Sequence, residues 1–145
     1  YFYLKKTGVT LTLGGSSAGR NLLINKAVAE NNADATIAVS AGSLILKGGS
    51  AWLAAGNTIK FVPSTVAMYS ANNSTNAIAA FNAGTPTTTA DPIVGEGVYI
   101  FQIVNGPNPE NVIYGMIKVT SVTPGVSVTF EYRIGNMYAH LAVIS

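Results

Sequence analysis

The sequence predicts an all-β domain built as an antiparallel β-sandwich of the immunoglobulin-like or jelly-roll-like kind. Three observations lead to this fold class. Short runs alternate apolar and polar residues, turn-forming residues separate these runs, and regular helical periodicity is rare between them. Many short strands joined by turns are typical of antiparallel sandwiches and barrels. A length of 145 residues is enough for one domain with a sizeable core.

The predicted strands follow one another along the whole chain. They are Val9–Leu13, Thr36–Val39, Ser43–Leu46, Thr58–Val62, Val98–Val104, Val112–Val122, Val126–Ile134 and Tyr138–Ile144. Turn signals separate them, at Gly14-Gly15, Gly48-Gly49, Gly56-Asn57, Asn105-Gly106-Pro107 and Pro124-Gly125. Asn21–Glu30 is open between helix and strand, and Thr75–Phe81 is compatible with a short helix.

Two of these strands predict how the sheets are covered. In Val126–Ile134 the residues Val126, Val128, Phe130 and Tyr132 share one face, while Ser127, Thr129, Glu131 and Arg133 form an opposite, solvated face. Val98–Val104 is apolar on both faces, which predicts a central strand or one that lies under a partner.

The composition favours association with other protein surfaces. Charged residues make up 10% of the chain, against about 25% in an ordinary soluble domain. Hydrophobic residues make up 48%, and the mean hydropathy is +0.35. No stretch approaches the roughly 20 apolar residues of a membrane-spanning helix. We therefore expect other copies of the same chain to cover much of the surface, with no membrane span.

Charge and cysteine content exclude several classes of partner. The eight basic residues are scattered, and the net charge is only +2, so nucleic-acid binding is not expected. The chain has no cysteine, which excludes disulfides and thiolate metal sites. Its first residue, Tyr1, fits a cleaved leader, and equally a partial chain. We expect an extracellular or cell-surface location.

The segment from about 70 to 95 is polar and rich in Asn, Thr, Ala and Pro, which predicts a surface loop. It contains two overlapping acceptor sequences for N-linked glycans, which begin at Asn72 and Asn73. A threonine cluster at Thr85–Thr89 could carry O-linked sugar. These sequences make glycans candidate partners if the protein is secreted in a glycosylating organism.

One motif raises the question of catalysis. Residues Gly15-Ser16-Ser17-Ala18-Gly19 match the G-x-S-x-G turn of serine hydrolases, with Asp91 and His140 following in the appropriate order. That turn belongs to a parallel sheet with crossover helices, and the chain shows no repeated βα units. Ser17 is therefore interpreted as a turn residue and His140 as a strand residue, and no enzyme activity is expected.

Cofactor and metal sites are not expected either. The Gly14–Ser17 segment lacks the lysine of a phosphate-binding loop. Glu30 and Asp34 form only a pair, and Glu131 is isolated in the sequence, so carboxylates do not converge on a metal.

The N-terminal segment carries the functional hypothesis. Residues 1–13 form an apolar strand separate from the domain of residues 14–145, and they have no hairpin partner nearby in the sequence. An unpaired apolar strand invites pairing with another chain. Inserted into a neighbouring copy it would complete that copy's sheet, with Phe2, Leu4, Val9, Leu11 and Leu13 at the interface.

A charge-poor β-domain without cysteine, led by an apolar strand, resembles the subunits of extracellular filaments linked by donor strands. Archaeal threads, bundling pili and chaperone-usher-type pilins share that plan. The resemblance lies in composition and architecture over the whole chain, and it implies a strand-exchanged homopolymer without implying any individual binding residue.

Two alternatives remain at this point. A virion or phage structural protein, such as a capsid or tail component, would have the same low charge and β architecture. A secreted carbohydrate-binding domain would use exposed aromatic residues such as Trp52.

Overall fold

The computed structural model describes residues 1–13, 35–40, 43–91, 93–106 and 112–136, which form eight strands and three helices. In chain order these are β1 (Phe2–Thr12), β2 (Thr36–Ser40), β3 (Ser43–Lys47), α1 (Ser50–Ala54), β4 (Thr58–Ser64), α2 (Val66–Ala71), α3 (Ser74–Ala83), β5 (Thr89–Ala90), β6 (Val98–Val104), β7 (Val112–Thr123) and β8 (Ser127–Asn136). The described chain is mostly β, and its strands pair antiparallel, as predicted.

The strands form two sheets. The larger sheet has the order β1-β8-β7-β6-β4, and the smaller sheet has the order β2-β3-β5. The consecutive strands β6, β7 and β8 form a meander in which Ile117 pairs with Tyr99 on one side and with Tyr132 on the other. In this order β1 and β4 are the two edge strands of the larger sheet.

The predicted strands that fall within the described residues all correspond to observed ones. The strand β6 has the predicted bounds, and the others differ from their predictions mainly at their ends. The largest difference is at β1, which begins at Phe2 rather than at Val9, where the alternating run begins, and which lies within the N-terminal apolar segment of residues 1–13. Asn21–Glu30 and Tyr138–Ile144 lie outside the described residues.

An inter-sheet core fills the space between the two sheets. Side chains from the five strands of the larger sheet meet side chains from β2, β3 and α1, and the largest of them are fully buried: Trp52, Phe61, Phe101, Phe130, Leu11 and Leu46. In β8 the predicted alternation is confirmed at Val128, Phe130 and Tyr132, which are buried. Val126 departs from it because it lies in the turn before β8, where it is 49% exposed.

A second, helix-side core lies on the opposite face of the larger sheet. Here α2 and α3 contribute Tyr69, Ala77 and Phe81, which pack against Val98, Ile100 and Met116 of β6 and β7. Both faces of β6 are therefore covered by the chain itself. The face of β8 expected to be solvated is also partly covered, since the carboxylate of Glu131 contacts Tyr69 of α2.

The expectation of a surface loop over residues 70–95 is wrong for much of that segment. It contains the end of α2, the short strand β5 and all of α3, which includes the Thr75–Phe81 segment that was compatible with a helix. The asparagines that favoured a loop act at helix ends: Asn72 terminates α2 in the left-handed region at φ 49°, and the Asn73 side chain accepts a hydrogen bond from Asn76 N at 3.0 Å. Ala77 and Phe81, four residues apart, then share the buried face of α3.

Candidate functional site: the β1 strand and its groove

The first strand pairs with the last described strand of its own chain. Its partner is β8, with Leu4 opposite Ile134 and Leu11 opposite Val128. The pairing continues past the end of β1, where Leu13 N donates to Val126 O at 2.7 Å. The expectation of an unpaired strand is therefore not met within the chain. We call the surface that β1 occupies the β1 groove, defined by β8 together with Asn72 of the α2–α3 junction.

A β-bulge sets the register of β1. The pairing shifts by one residue between Lys6 and Val9, and Gly8 within the bulge has φ +66°. This left-handed conformation favours glycine, and an extra residue in one strand changes which side chains face the core after it. Beyond the bulge, Val9 lies opposite Phe130 and points toward the inter-sheet core.

The five apolar residues predicted as interface residues have three different environments. Phe2 is buried in the helix-side core and Leu11 in the inter-sheet core. Val9 and Leu13 are half-buried against the inter-sheet core, whereas Leu4 is 51% exposed. Each fully buried side chain of this size stabilises the fold by about 1.5–3 kcal/mol. Thus β1 completes both cores, through Phe2 and Leu11.

The junction between α2 and α3 holds the start of β1 by its backbone. Phe2 N donates to Asn72 Oδ1 at 3.1 Å, and Asn72 Nδ2 donates to Phe2 O at 3.2 Å. The backbone nitrogen of Tyr1 also donates to Ser74 Oγ at 2.9 Å. The Asn72 amide therefore bonds Phe2 as a neighbouring strand would, independently of the side chain that Phe2 carries.

The middle of β1 is held by charge. Glu131 of β8 lies 3.3 Å from Lys5 Nζ of β1 through Oε2 and 3.6 Å from Lys118 Nζ of β7 through Oε1. Tyr69 of α2 donates its hydroxyl hydrogen to Glu131 Oε2 at 3.0 Å. One carboxylate, isolated in the sequence, thus connects three strands and a helix.

The surroundings of Glu131 fix its ionisation state. Burial by itself would raise the pKa of this carboxyl. The hydrogen bond from Tyr69 and the ammonium groups of Lys5 and Lys118 outweigh burial and hold the pKa below its ordinary value of 4.5. Burial, and then the adjacent carboxylate, raise the pKa of Tyr69, so this phenol remains a donor. Its ring also lies 4.9 Å from Arg133 Cζ, a cation–π distance.

We expect Tyr69→Phe to lower the free energy of unfolding by about 1.5 kcal/mol near neutral pH, because it removes a hydrogen bond to a charged acceptor. The folded-state pKa of Glu131 is depressed, so this stabilisation is present above the ordinary value of 4.5 and is lost as the pH falls through the lower folded value. Urea denaturation of the parent protein and of the variant, at neutral pH and in strong acid, measures how much unfolding free energy the substitution removes at each pH.

Tyr114→Phe is the matched control for Tyr69→Phe. Its hydroxyl accepts a hydrogen bond from the neutral Gln102 amide, at 2.9 Å. The destabilisation by Tyr114→Phe should therefore be similar at both pH values. A Tyr69→Phe effect that stays constant into strong acid would contradict the role of ionised Glu131.

The outer side of β1 is the exposed apolar part of this region. Tyr1, Tyr3 and Leu4 are 58%, 49% and 51% exposed. Among the described residues β1 has a strand neighbour on one edge only, which is the edge that faces β8. The other edge strand, β4, bonds through Phe61 to Thr87 in both directions, at 2.7 and 3.0 Å.

The two predicted glycan acceptors differ in their surroundings. Asn72 is occupied by its bonds to Phe2, and the Ser74 of its acceptor sequence is buried. Asn73 is exposed, and so is Thr75, which completes the second sequence. Within this segment the geometry leaves Asn73 the more accessible of the two.

The sequence-level candidates for other chemistry are not brought together in the described residues. Asp91 is exposed, while Ser17 and His140 lie outside the described residues. Within the described ranges, His, Asp and Glu side chains form no group of three or more that could hold a metal ion. None of the helices in those ranges is long and apolar enough to cross a membrane.

The expectation that Trp52 offers an exposed stacking surface is wrong. The Trp52 side chain is fully buried in the inter-sheet core, where α1 places it against the two sheets. A buried indole cannot stack on a sugar ring, so the carbohydrate-binding alternative loses the residue that favoured it.

Sequence reasoning missed Glu131, Tyr69 and Asn72 as partners of β1. The polar face of β8 was the only available signal for Glu131, and this face gave no indication of which element would cover it.

Comparisons with family models, with curated proteins and with solved structures gave no match to this chain.

Proposed function

We propose that this protein is a structural subunit that assembles with copies of itself into an extracellular filament by exchange of β1. In the assembled state the β1 of one copy fills the β1 groove of the next, within an antiparallel β-sandwich. The observation that carries the proposal is that β1 completes both cores while lying at a sheet edge, bonded to a single one of the described strands. Such a strand can be replaced by an identical one without rearranging any other strand.

Exchange costs little in contact energy, because the same contacts form within a chain or between chains. Phe2 enters the same helix-side core and Leu11 the same inter-sheet core, whichever copy supplies β1. Residues 14–34 separate β1 from the described residues that lead into β2, so chain length alone would permit a separation of about 70 Å between the two strands. A neighbouring subunit lies within that length.

The geometry of the exchange favours an open polymer. The donated surface, β1, and the accepting surface, the β1 groove, are different parts of the molecule. A contact between two different surfaces is heterologous and propagates head to tail. The low content of charged residues, 10%, and the exposed Tyr1, Tyr3 and Leu4 support burial against further copies.

Mixed cysteine variants test the exchange directly. Thr10 of β1 and Thr129 of β8 are direct partners whose Oγ1 atoms lie 2.9 Å apart, and the chain has no cysteine of its own. Thr10→Cys and Thr129→Cys are made in separate chains, which are mixed and oxidised. Exchange is expected to yield a disulfide-linked pair of one chain of each kind, identified by mass, since the cysteines then satisfy disulfide geometry.

The control replaces the acceptor position. Thr123 is exposed like Thr10 but lies on β7 opposite Ser127, so Thr123→Cys should give little linkage to Thr10→Cys. Equal linkage to both positions, or none to either, would refute exchange of β1.

Negative-stain microscopy of the unmodified protein should show fibres, and closed shells would instead favour a virion or phage component.

A further inference from the structure

We infer that Glu131 selects the exchanged strand: its carboxylate binds Lys5 of the β1 that enters from a second copy, and this contact distinguishes β1 from other apolar strands. The inference rests on the proposed function and names the partner of the β1 groove as a segment of a second copy that carries a lysine at this position. The juxtaposition that carries it is Lys5 Nζ at 3.3 Å from Glu131 Oε2, between the exchangeable strand and the groove.

The groove holds its carboxylate in place without β1. Of the three groups that contact Glu131 in the described part of the chain, Lys5 belongs to β1, while Tyr69 and Lys118 belong to α2 and β7. The Glu131 side chain is 13% exposed, and its two remaining partners would orient it when β1 leaves. The groove therefore presents a preorganised anionic group, which lowers the cost of binding a cation.

Apolar contacts alone do not identify β1. Alternation of apolar and polar side chains is common to many strands of this chain, so fitting Val9 and Leu11 into a core is a weak criterion. The bulge at Gly8 adds a fixed offset between Lys5 and Val9. A strand that satisfies the ion pair in this register also places Val9 and Leu11 correctly.

The neighbouring charges make the selection stronger. Lys5 lies directly opposite Arg133, and like charges at that position of an antiparallel pair are destabilising. Lys118 is also close, at 3.6 Å from Glu131 Oε1. Without the carboxylate, Arg133 of the groove and Lys118 of the adjacent strand β7 would face an incoming lysine and repel it.

A split ion pair tests this inference in full-length chains. The donor chain carries Thr10→Cys and Glu131→Gln, and it retains Lys5. The acceptor chain carries Thr129→Cys and Lys5→Gln, and it retains Glu131. Neither chain can form the ion pair within itself, so only the exchanged state restores it. The matched control donor adds Lys5→Gln, so that the pair cannot form in any arrangement.

The split pair is expected to give about threefold more disulfide-linked heterodimer than the control mixture, a ratio set by one partly buried ion pair. The excess should decrease at high salt, because screening weakens the pair. Equal yields with the two donors would overturn the role of Glu131 while leaving exchange intact. Absence of heterodimer from both mixtures and from the parent cysteine chains would instead overturn the proposed function.

Discussion

Gly115→Ala is expected to lower the free energy of unfolding by about 3 kcal/mol or more, because the interior has no room for a methyl group there. Gly115 is buried in β7, where it pairs with Phe101 of β6 and Ile134 of β8. An added Cβ would overlap the Phe101 ring and the carbonyl oxygen of Arg133. The second overlap involves the backbone of the adjacent strand, so a change of rotamer cannot relieve it.

Gly95→Ala provides the matched control for Gly115→Ala. Gly95 is exposed, and an added Cβ would have no atom within 4 Å. This change should alter stability by less than about 0.5 kcal/mol. Urea denaturation of both variants measures the contrast through the midpoints. Coincident midpoints would show that β7 and its neighbours move apart more easily than the packing around Phe101 indicates.

Gly115 illustrates what the sequence could and could not predict. The apolar run in β6, the alternation in β7 and β8 and the turn residues between them predicted three strands and two connecting turns, because these patterns are local properties of the sequence. It also predicted that both faces of β6 would be buried. The close approach of Phe101 to the β7 backbone depends on the register between strands, which alternation does not determine.

The helices and the partner of β1 were harder to predict for a related reason. Among the helices only α3 was indicated in advance, by the Thr75–Phe81 segment. The helix α2 is short, and α3 has only three buried residues, Ser74, Ala77 and Phe81, so the helical periodicity is weak in both. The pairing of β1 with β8 joins residues far apart in the sequence. Such contacts depend on tertiary packing, and so does the convergence of Lys5, Lys118 and Tyr69 on Glu131.

In the described residues, the apolar side chains that suggested a covering partner lie in two places. One is internal: α2 and α3 cover a face of the larger sheet, where the sequence predicted a central or partner-covered β6 and a solvated face on β8. The other is β1 itself, whose Phe2 and Leu11 are buried while Tyr1, Tyr3 and Leu4 stay exposed. The case for self-association consequently depends on β1 and its groove more than on overall composition.

Trp52→Ala is expected to lower the free energy of unfolding by about 3–5 kcal/mol, the usual cost of removing a large aromatic side chain from a core. Trp52 is 0% exposed and belongs to the inter-sheet core, so its loss leaves a cavity between the two sheets. Its backbone carbonyl accepts a hydrogen bond from Asn57 Nδ2 at 2.9 Å, a contact that the substitution retains. The expected loss of unfolding free energy therefore measures the contribution of the Trp52 side chain.

Trp52→Phe separates packing from polarity at the same position. The buried Trp52 Nε1 has no hydrogen-bond partner in the described structure, so replacing the indole by a phenyl ring removes an unsatisfied donor along with some volume. We expect Trp52→Phe to lower the free energy of unfolding much less than Trp52→Ala does.

The fluorescence of Trp52 tests the sugar-binding alternative, since the chain has one tryptophan and its emission therefore reports on this site alone. A core position predicts blue-shifted emission that is insensitive to iodide and to added oligosaccharides. Emission quenched by iodide, with a Trp52→Ala variant as stable as the parent, would place the indole at the surface and restore the stacking role that its burial excludes.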